Sequence, residues 1–249
     1  MSKLVTLFIT SCGRPELLKR TLESFVKYNT YPIQEVILCE DSCIPGIVDF
    51  ASSIVPYPIT YCYNSERSGQ MKTIERYTPL IKTPFVFHLE DDYEFFDSGF
   101  IELSFKIMES DPMISQVLLE DEQHTFNSID IQNPLCRKVM GGATKEYDGN
   151  GGYGADMSCF SWRPSLKRIE IQKVRMPYQP WDDEYTIQLK INRMGYYSVI
   201  TNNIKDGRKG FCTHIGLQNH VSILPHHKIL TRQDFPDKIY IGLKDIDSM

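Results

Sequence analysis

Three successive carboxylates, Glu90, Asp91 and Asp92, close a short apolar run, Phe85-Val-Phe-His-Leu89. Aromatic and β-branched residues suit a pleated, mostly buried surface, and Pro84 bounds the run, so the acids are expected at the end of a central strand. Adjacent acids repel one another, and a divalent cation is the natural partner to relieve that repulsion. The competing reading is an acidic loop solvated at a sheet edge. Other candidates are Thr10 and Arg14 around Ser11-Cys-Gly-Arg-Pro15, the trio Glu40-Asp41-Ser42, the acids Asp182, Asp183 and Glu184 after Trp181, and His214 in Phe211-Cys-Thr-His-Ile-Gly216. Acids at a helix start complement the macrodipole, which explains one or two of residues 182–184 better than all three. A lone histidine is more often a packed or exposed residue than a ligand.

The elements that must carry these residues alternate. Strands are expected over 4–10, 31–39, 59–63 and 85–89, with helices over 16–28, 45–53 and 69–77 between them. Strand and helix in turn imply a mostly parallel sheet covered on both faces, with ligands beyond the carboxyl ends of the strands. Thr10 to Arg14, Glu40 to Ser42 and Glu90 to Asp92 all fall at such ends, which disfavours the solvated-loop reading. Further on, a helix over 100–108, strands over 114–119 and 196–200 and a helix over 185–194 ended by Gly195 are expected. Residues 120–122 read as a solvated acid run and 123–147 as irregular. The glycine-rich stretch 149–154 lacks the lysine of a phosphate-binding loop; it is a weak phosphate signal and reads equally as a mobile loop over a site, leading into a strand over 157–162. Residues 218–249 read as a peripheral polar tail with His226 and His227.

Composition narrows the function. With 249 residues the chain suits one large domain with a real core. A net charge of −5 and scattered lysines and arginines give no footprint for nucleic acid. No stretch reaches the roughly 18 apolar residues of a membrane span, and no apolar signal core follows Lys3, so a cytoplasmic location is expected. Seven cysteines without a C-x-x-C pair fit free thiols in a reducing compartment.

Taken in order, Thr10 with Arg14, Glu40-Asp41-Ser42, Glu90-Asp91-Asp92, Trp181-Asp-Asp-Glu184 and Thr213-His-Ile-Gly216 resemble the nucleotide-sugar glycosyltransferases of GT-A fold, in particular the inverting family 2 type. The resemblance runs from residue 4 to about 216. It implies one GT-A domain over 1–216, with a nucleotide-binding half to about 110, an acceptor-binding half over 111–216, and an extension over 217–249. It also implies that Thr10, Arg14 and Asp41 contact the nucleotide, with Lys72 as a helical basic residue that helps and Arg67 second. Asp91 would face the ribose, and Asp92 and His214 would hold manganese or magnesium. The family's first acid is here a glutamate, Glu90, which leaves its part unassigned. The Trp-Asp-Asp-Glu stretch is the family's position for the base that takes the acceptor's proton. Counting back from Gly195 points to Glu184 and counting forward from Trp181 to Asp183.

The implied reaction moves a sugar from a nucleoside diphosphate to a hydroxyl on a glycan or related acceptor. Mixed oxygen and nitrogen ligands suit manganese over calcium, with magnesium a workable substitute. Two alternatives stay open. A sugar-1-phosphate nucleotidyltransferase would open with a glycine-rich basic loop, whereas residues 11–15 hold one glycine. A non-catalytic nucleotide- or glycan-binding module of the same fold would bind without turnover. Tyr147, Tyr153, Trp162 and Trp181 are candidates for stacking on sugar rings or for the core.

Overall fold

The computed structural model describes residues 3–120, 127–140, 160–179 and 182–216. Strand β1 (Val5–Ser11) is buried throughout and turns directly into α1 (Pro15–Tyr28), whose proline sits where a first helical turn tolerates it. Leu17, Leu18, Leu22 and Phe25 of α1 face the sheet. The Phe25 ring lies 5.7 Å from Phe87 and 5.5 Å from Phe95. β2 (Glu35–Glu40), β3 (Ile59–Tyr63), α2 (Gln70–Tyr77) and β4 (Phe85–Glu90) follow, with a 3-10 turn at Asp49–Ser53 where a short helix is expected. A short β5 (Tyr93–Phe95) and α3 (Phe100–Ser110) come next.

The second half contributes β6 (Ile114–Leu118), β7 (Asn127–Asp130), β8 (Cys136–Met140), β9 (Ser165–Arg168), α4 (Ile169–Gln172), α5 (Glu184–Arg193) and β10 (Tyr197–Thr201). A small hairpin of β11 (Ile204–Lys205) and β12 (Arg208–Lys209) leads to β13 (Cys212–His214), which pairs with β5. The main sheet has nine strands in the order β3-β2-β1-β4-β9-β6-β10-β8-β7. Within it β8 and β9 run against the other seven, so the expected α/β, mostly parallel architecture holds. No helix among the described residues is long and apolar enough to cross a membrane.

Two expectations need correction. The stretch read as irregular contains β7 and β8, antiparallel strands at the sheet margin; Asn127-Ser-Ile-Asp130 and Cys136-Arg-Lys-Val-Met140 mix polar and apolar residues as half-solvated strands do. Residues 160–162 form no strand; the strand comes later, at β9, whose Lys167 breaks the apolar pattern. The glycine-rich stretch 149–154, residues 157–159, Tyr147, Tyr153, Cys159, Trp181, and the tail with His226 and His227 lie outside the described residues. The other six cysteines are free thiols, as expected.

Candidate active site

The parallel strands bring their polar ends together. Register sets Thr10 beside Glu90 and Ser11 beside Glu40. Gly13, at φ 65°, lets the chain turn sharply from β1 into α1, and its N–H donates to Glu40 Oε1 at 2.8 Å. That turn aims Arg14 at the acids, where its guanidinium pairs with Asp91 and, at 2.7 Å, with Asp92 Oδ2. Asp91 is fully buried and also accepts from Ser11 Oγ at 3.0 Å and Cys12 N at 3.3 Å. Helix α1 steadies the backbone behind them: Thr21 Oγ1 donates to the Asp91 carbonyl, and Ser24 Oγ accepts from Phe95 N.

His214 arrives from the other direction. β13 pairs with β5 so that His214 lies opposite Tyr93, and Ile215 N donates to the Asp92 carbonyl at 2.8 Å. His214 Nε2 then sits 3.0 Å from Asp92 Oδ2. A Cβ on Gly216 would overlap Asp92 Oδ2, which explains the glycine after His-Ile.

Burial raises the Glu90 pKa to about 7, with the Asp92 charge adding to it and the hydrogen bond from Gln70 opposing it. Burial likewise raises Asp91 to about 6 against the pull of Arg14. For Asp92, burial is outweighed by the His214 hydrogen bond and the Arg14 charge, and its pKa falls below the usual range. The hydrogen bond to Asp92 raises His214. The cluster is thus short of positive charge, and Arg14 supplies part of it.

Asp183 and Glu184 point to different tasks. Asp183 is the N-cap of α5: its Oδ1 accepts from Thr186 N at 2.9 Å, and Thr186 Oγ1 accepts from Asp183 N, a reciprocal capping pair. Glu184 keeps a solvent-facing surface, and its Oε1 accepts from Trp162 N at 2.6 Å and Ser161 Oγ at 3.2 Å. Dense protein on its other sides strips hydration and raises its pKa, while Trp162 N, Ser161, Arg163 and Lys167 oppose the rise. Gln116 on β6 fixes the Ser161 backbone through both ends of its amide. Asp182 is committed elsewhere, pairing with Arg175 at 2.5 Å and accepting from Gln179 N.

On the β2 side, Asp41 accepts from Asn64 Nδ2 at 2.5 Å and from Ser68 N and Gly69 N at 2.8 Å each, pinning the loop into α2. One lone pair on Oδ2 stays available for a ligand donor. Lys72 donates to Glu75 Oε2 at 2.8 Å and the Tyr178 carbonyl at 2.6 Å, tying α2 to the segment before α5. Arg67 donates to Cys12 Sγ at 3.2 Å, beside the β1 turn.

Among the described residues no group of three or more histidine, cysteine, aspartate or glutamate side chains forms a closed metal cage. Asp92 and His214 nevertheless fit an open site. A carboxylate oxygen and an imidazole nitrogen converge on one place, where a guanidinium already provides positive charge, and the remaining positions fall to a ligand's oxygens and water.

The sequence profile of glycosyl transferase family 2 matches residues 6–162, more than half of the chain. The chain belongs to glycosyl transferase family 2. No curated protein matches the sequence. Solved structures share the fold at low identity. A mannosyltransferase from Pyrobaculum calidifontis in complex with GDP-Man and Mn2+ has a TM-score of 0.58 at 14% identity, over 88% of this chain and 59% of that one. GalNAc-T7 with UDP, GalNAc and Mn2+ gives 0.55 at 14%, over 82% and 45%. S. aureus TarS 1-349 with UDP-GlcNAc gives 0.56 at 11%, over 86% and 58%. The chain therefore spans about half to three-fifths of the length of these structures, and the likeness is one of GT-A fold.

In this family 2 chain the tertiary structure brings Arg14, Asp91, Asp92 and His214 into contact, with Thr10 beside Glu90 in the sheet. Asp41 and Lys72 lie on the α2 side, where their partners are Asn64, Ser68 and Gly69 for Asp41 and Glu75 and Tyr178 for Lys72. Sequence reasoning missed several neighbours. Glu120, read as part of a solvated run, is part-buried and pairs with Arg163 at 2.6 Å while accepting from the Tyr93 hydroxyl at 3.4 Å. Trp162, a candidate for sugar stacking, is core. A lysine in the apolar register of β9 was the one visible sign of Lys167.

Proposed function

We propose that this chain transfers a sugar from a nucleoside-diphosphate donor to a hydroxyl of a glycan or related acceptor, with inversion at the anomeric carbon. The observation that carries the reading is the meeting of Asp92 and His214, distant in sequence, at 3.0 Å beyond the carboxyl end of β4. Neighbours of the same fold that hold GDP-Man with Mn2+ or UDP-GlcNAc support it. In this reading residues up to about 110 bind the nucleotide, residues 111–216 shape the acceptor side, and 217–249 form an extension.

Asp92 and His214 would hold manganese, or magnesium in its place, and the bound cation would act as a Lewis acid on the diphosphate. Arg14, already beside those carboxylates, is placed to shift onto phosphate oxygens when a donor arrives. Thr10, Asp41 and Asp91 line the strand ends where base and ribose would lie, and Lys72 holds α2 against them. The acceptor oxygen attacks the anomeric carbon from the face opposite the diphosphate. The bond from that carbon to phosphate oxygen breaks, and the nucleoside diphosphate leaves with the electron pair. Glu184 takes the acceptor's proton, a task suited to a carboxylate whose basicity burial has raised. Asp183, occupied as a cap, serves the helix that presents Glu184.

The test is calorimetry of manganese and nucleoside diphosphates on the chain and on Asp92→Ala, beside turnover with a panel of donor sugars. Manganese-dependent nucleotide binding lost in Asp92→Ala supports the reading. Equal binding and transfer in that variant would reject it, and binding with no turnover of any donor would favour the non-catalytic module.

A further inference from the structure

Lys167 is an unusual charged residue among those described. It stands on β9, between β4 and β6 in the sheet, and is 0% exposed. Its ammonium nitrogen makes no hydrogen bond among the described residues. Instead it lies 4.4 Å from the Trp162 ring and 5.1 Å from the Phe160 ring. Aromatic faces attract a cation far less strongly than burial penalises it, so nearby anions must supply the rest. The indole that covers Lys167 belongs to the residue whose backbone N–H holds Glu184 Oε1 at 2.6 Å.

The groups facing Lys167 can be named element by element. From β4 come His88, fully buried with neither ring nitrogen hydrogen-bonded among the described residues, and Glu90. From β6 comes Gln116, its register partner, whose amide is committed to Ser161 and Ser165. From α5 comes Glu184, which with Glu90 favours the charged lysine. His88 cannot share the load, because burial and the lysine both keep its imidazole neutral.

We propose that Lys167 is a positioning residue for the base: an ammonium sealed beneath Trp162 that holds the Glu184 carboxylate in its proton-accepting form. This rests on Glu184 being the base of the reaction proposed above. Burial lowers the Lys167 pKa to about 7, with Glu184 and Glu90 acting in the other direction, so the charge on the lysine depends on that of the carboxylate. Removing the positive charge leaves burial less opposed, and Glu184 then keeps its proton to higher pH.

Lys167→Met is expected to keep manganese-dependent nucleotide binding while the acidic limb of its pH–turnover profile moves up by about one pH unit. That is roughly a tenfold loss of turnover on the acid side, with most of it recovered at alkaline pH. An equal loss at every pH, with the limb unmoved, would show a packing role alone and overturn the proposal. Should that variant fail to fold, lysine 13Cε NMR on the unaltered chain and on Glu184→Gln decides. One lysine should titrate near neutrality, with a lower midpoint in Glu184→Gln; no such lysine, or an unchanged midpoint, sinks the idea. Full turnover in Glu184→Gln removes the base assignment instead, whatever the NMR coupling shows.

Discussion

Asp92 meets three constraints at once: a guanidinium and an imidazole on Oδ2, and the absence of a side chain at Gly216 beside it. The third makes the glycine the most sensitive probe of the site. Gly216→Ala must push the carboxylate away from His214, and manganese affinity measured by calorimetry should fall by about tenfold or more, since a displaced ligand or its support costs that much. Unchanged affinity would mean that Asp92 does not bind the cation. From sequence, Asp92 and His214 were legible only through the order of motifs. Arg14 was legible as a site residue, but not as the present partner of the acids, because nothing in local spacing says where a long side chain will point.

At the scale of elements, α5 shows how two adjacent acids separate. Asp183 sits at the N-cap with extended backbone, so its side chain folds back onto Thr186 N; one residue later Glu184 is helical and reaches Ser161 and Trp162. Asp183→Ala should therefore lower stability by about 1 kcal/mol, a cap's usual worth, read as a lower denaturation midpoint. Its pH–turnover profile should keep its shape; a loss of turnover with unchanged stability would return the base assignment to Asp183. Counting along the sequence left the two acids open, since helix phase there depends on where the cap falls. The hydroxyls of Thr21 and Ser24 on α1, which satisfy backbone near the acids, were equally invisible, because Thr and Ser in a helix carry no positional signal of their own.

For the whole molecule, the acid cluster and Lys167 set an unusual pH dependence. Glu90 and Asp91 have folded pKa values of about 7 and about 6, above their unfolded values, so between pH 4.5 and 7 these two acids bind more protons in the folded state and make stability fall as pH rises, against the opposite pull of His88, which burial keeps neutral. Lys167, depressed to about 7, acts oppositely: above neutrality the unfolded chain binds the extra proton, and stability rises again. The two acids outweigh the one histidine, so the metal-free protein should melt lower near pH 7 than near pH 5.5, with manganese narrowing the gap. A melting temperature that climbs from pH 5.5 to 7 without metal would contradict this. The alternating strands and helices, the parallel half of the sheet and the placing of acids at strand ends were all set by local pattern, since hydrophobic period and turn residues act over a few positions. Strands β7 and β8, the division of labour between Asp183 and Glu184, the Glu120–Arg163 pair and the burial of Lys167 were decided only by the tertiary structure. Each depends on which distant surface covers a residue, and one-dimensional spacing carries no record of that.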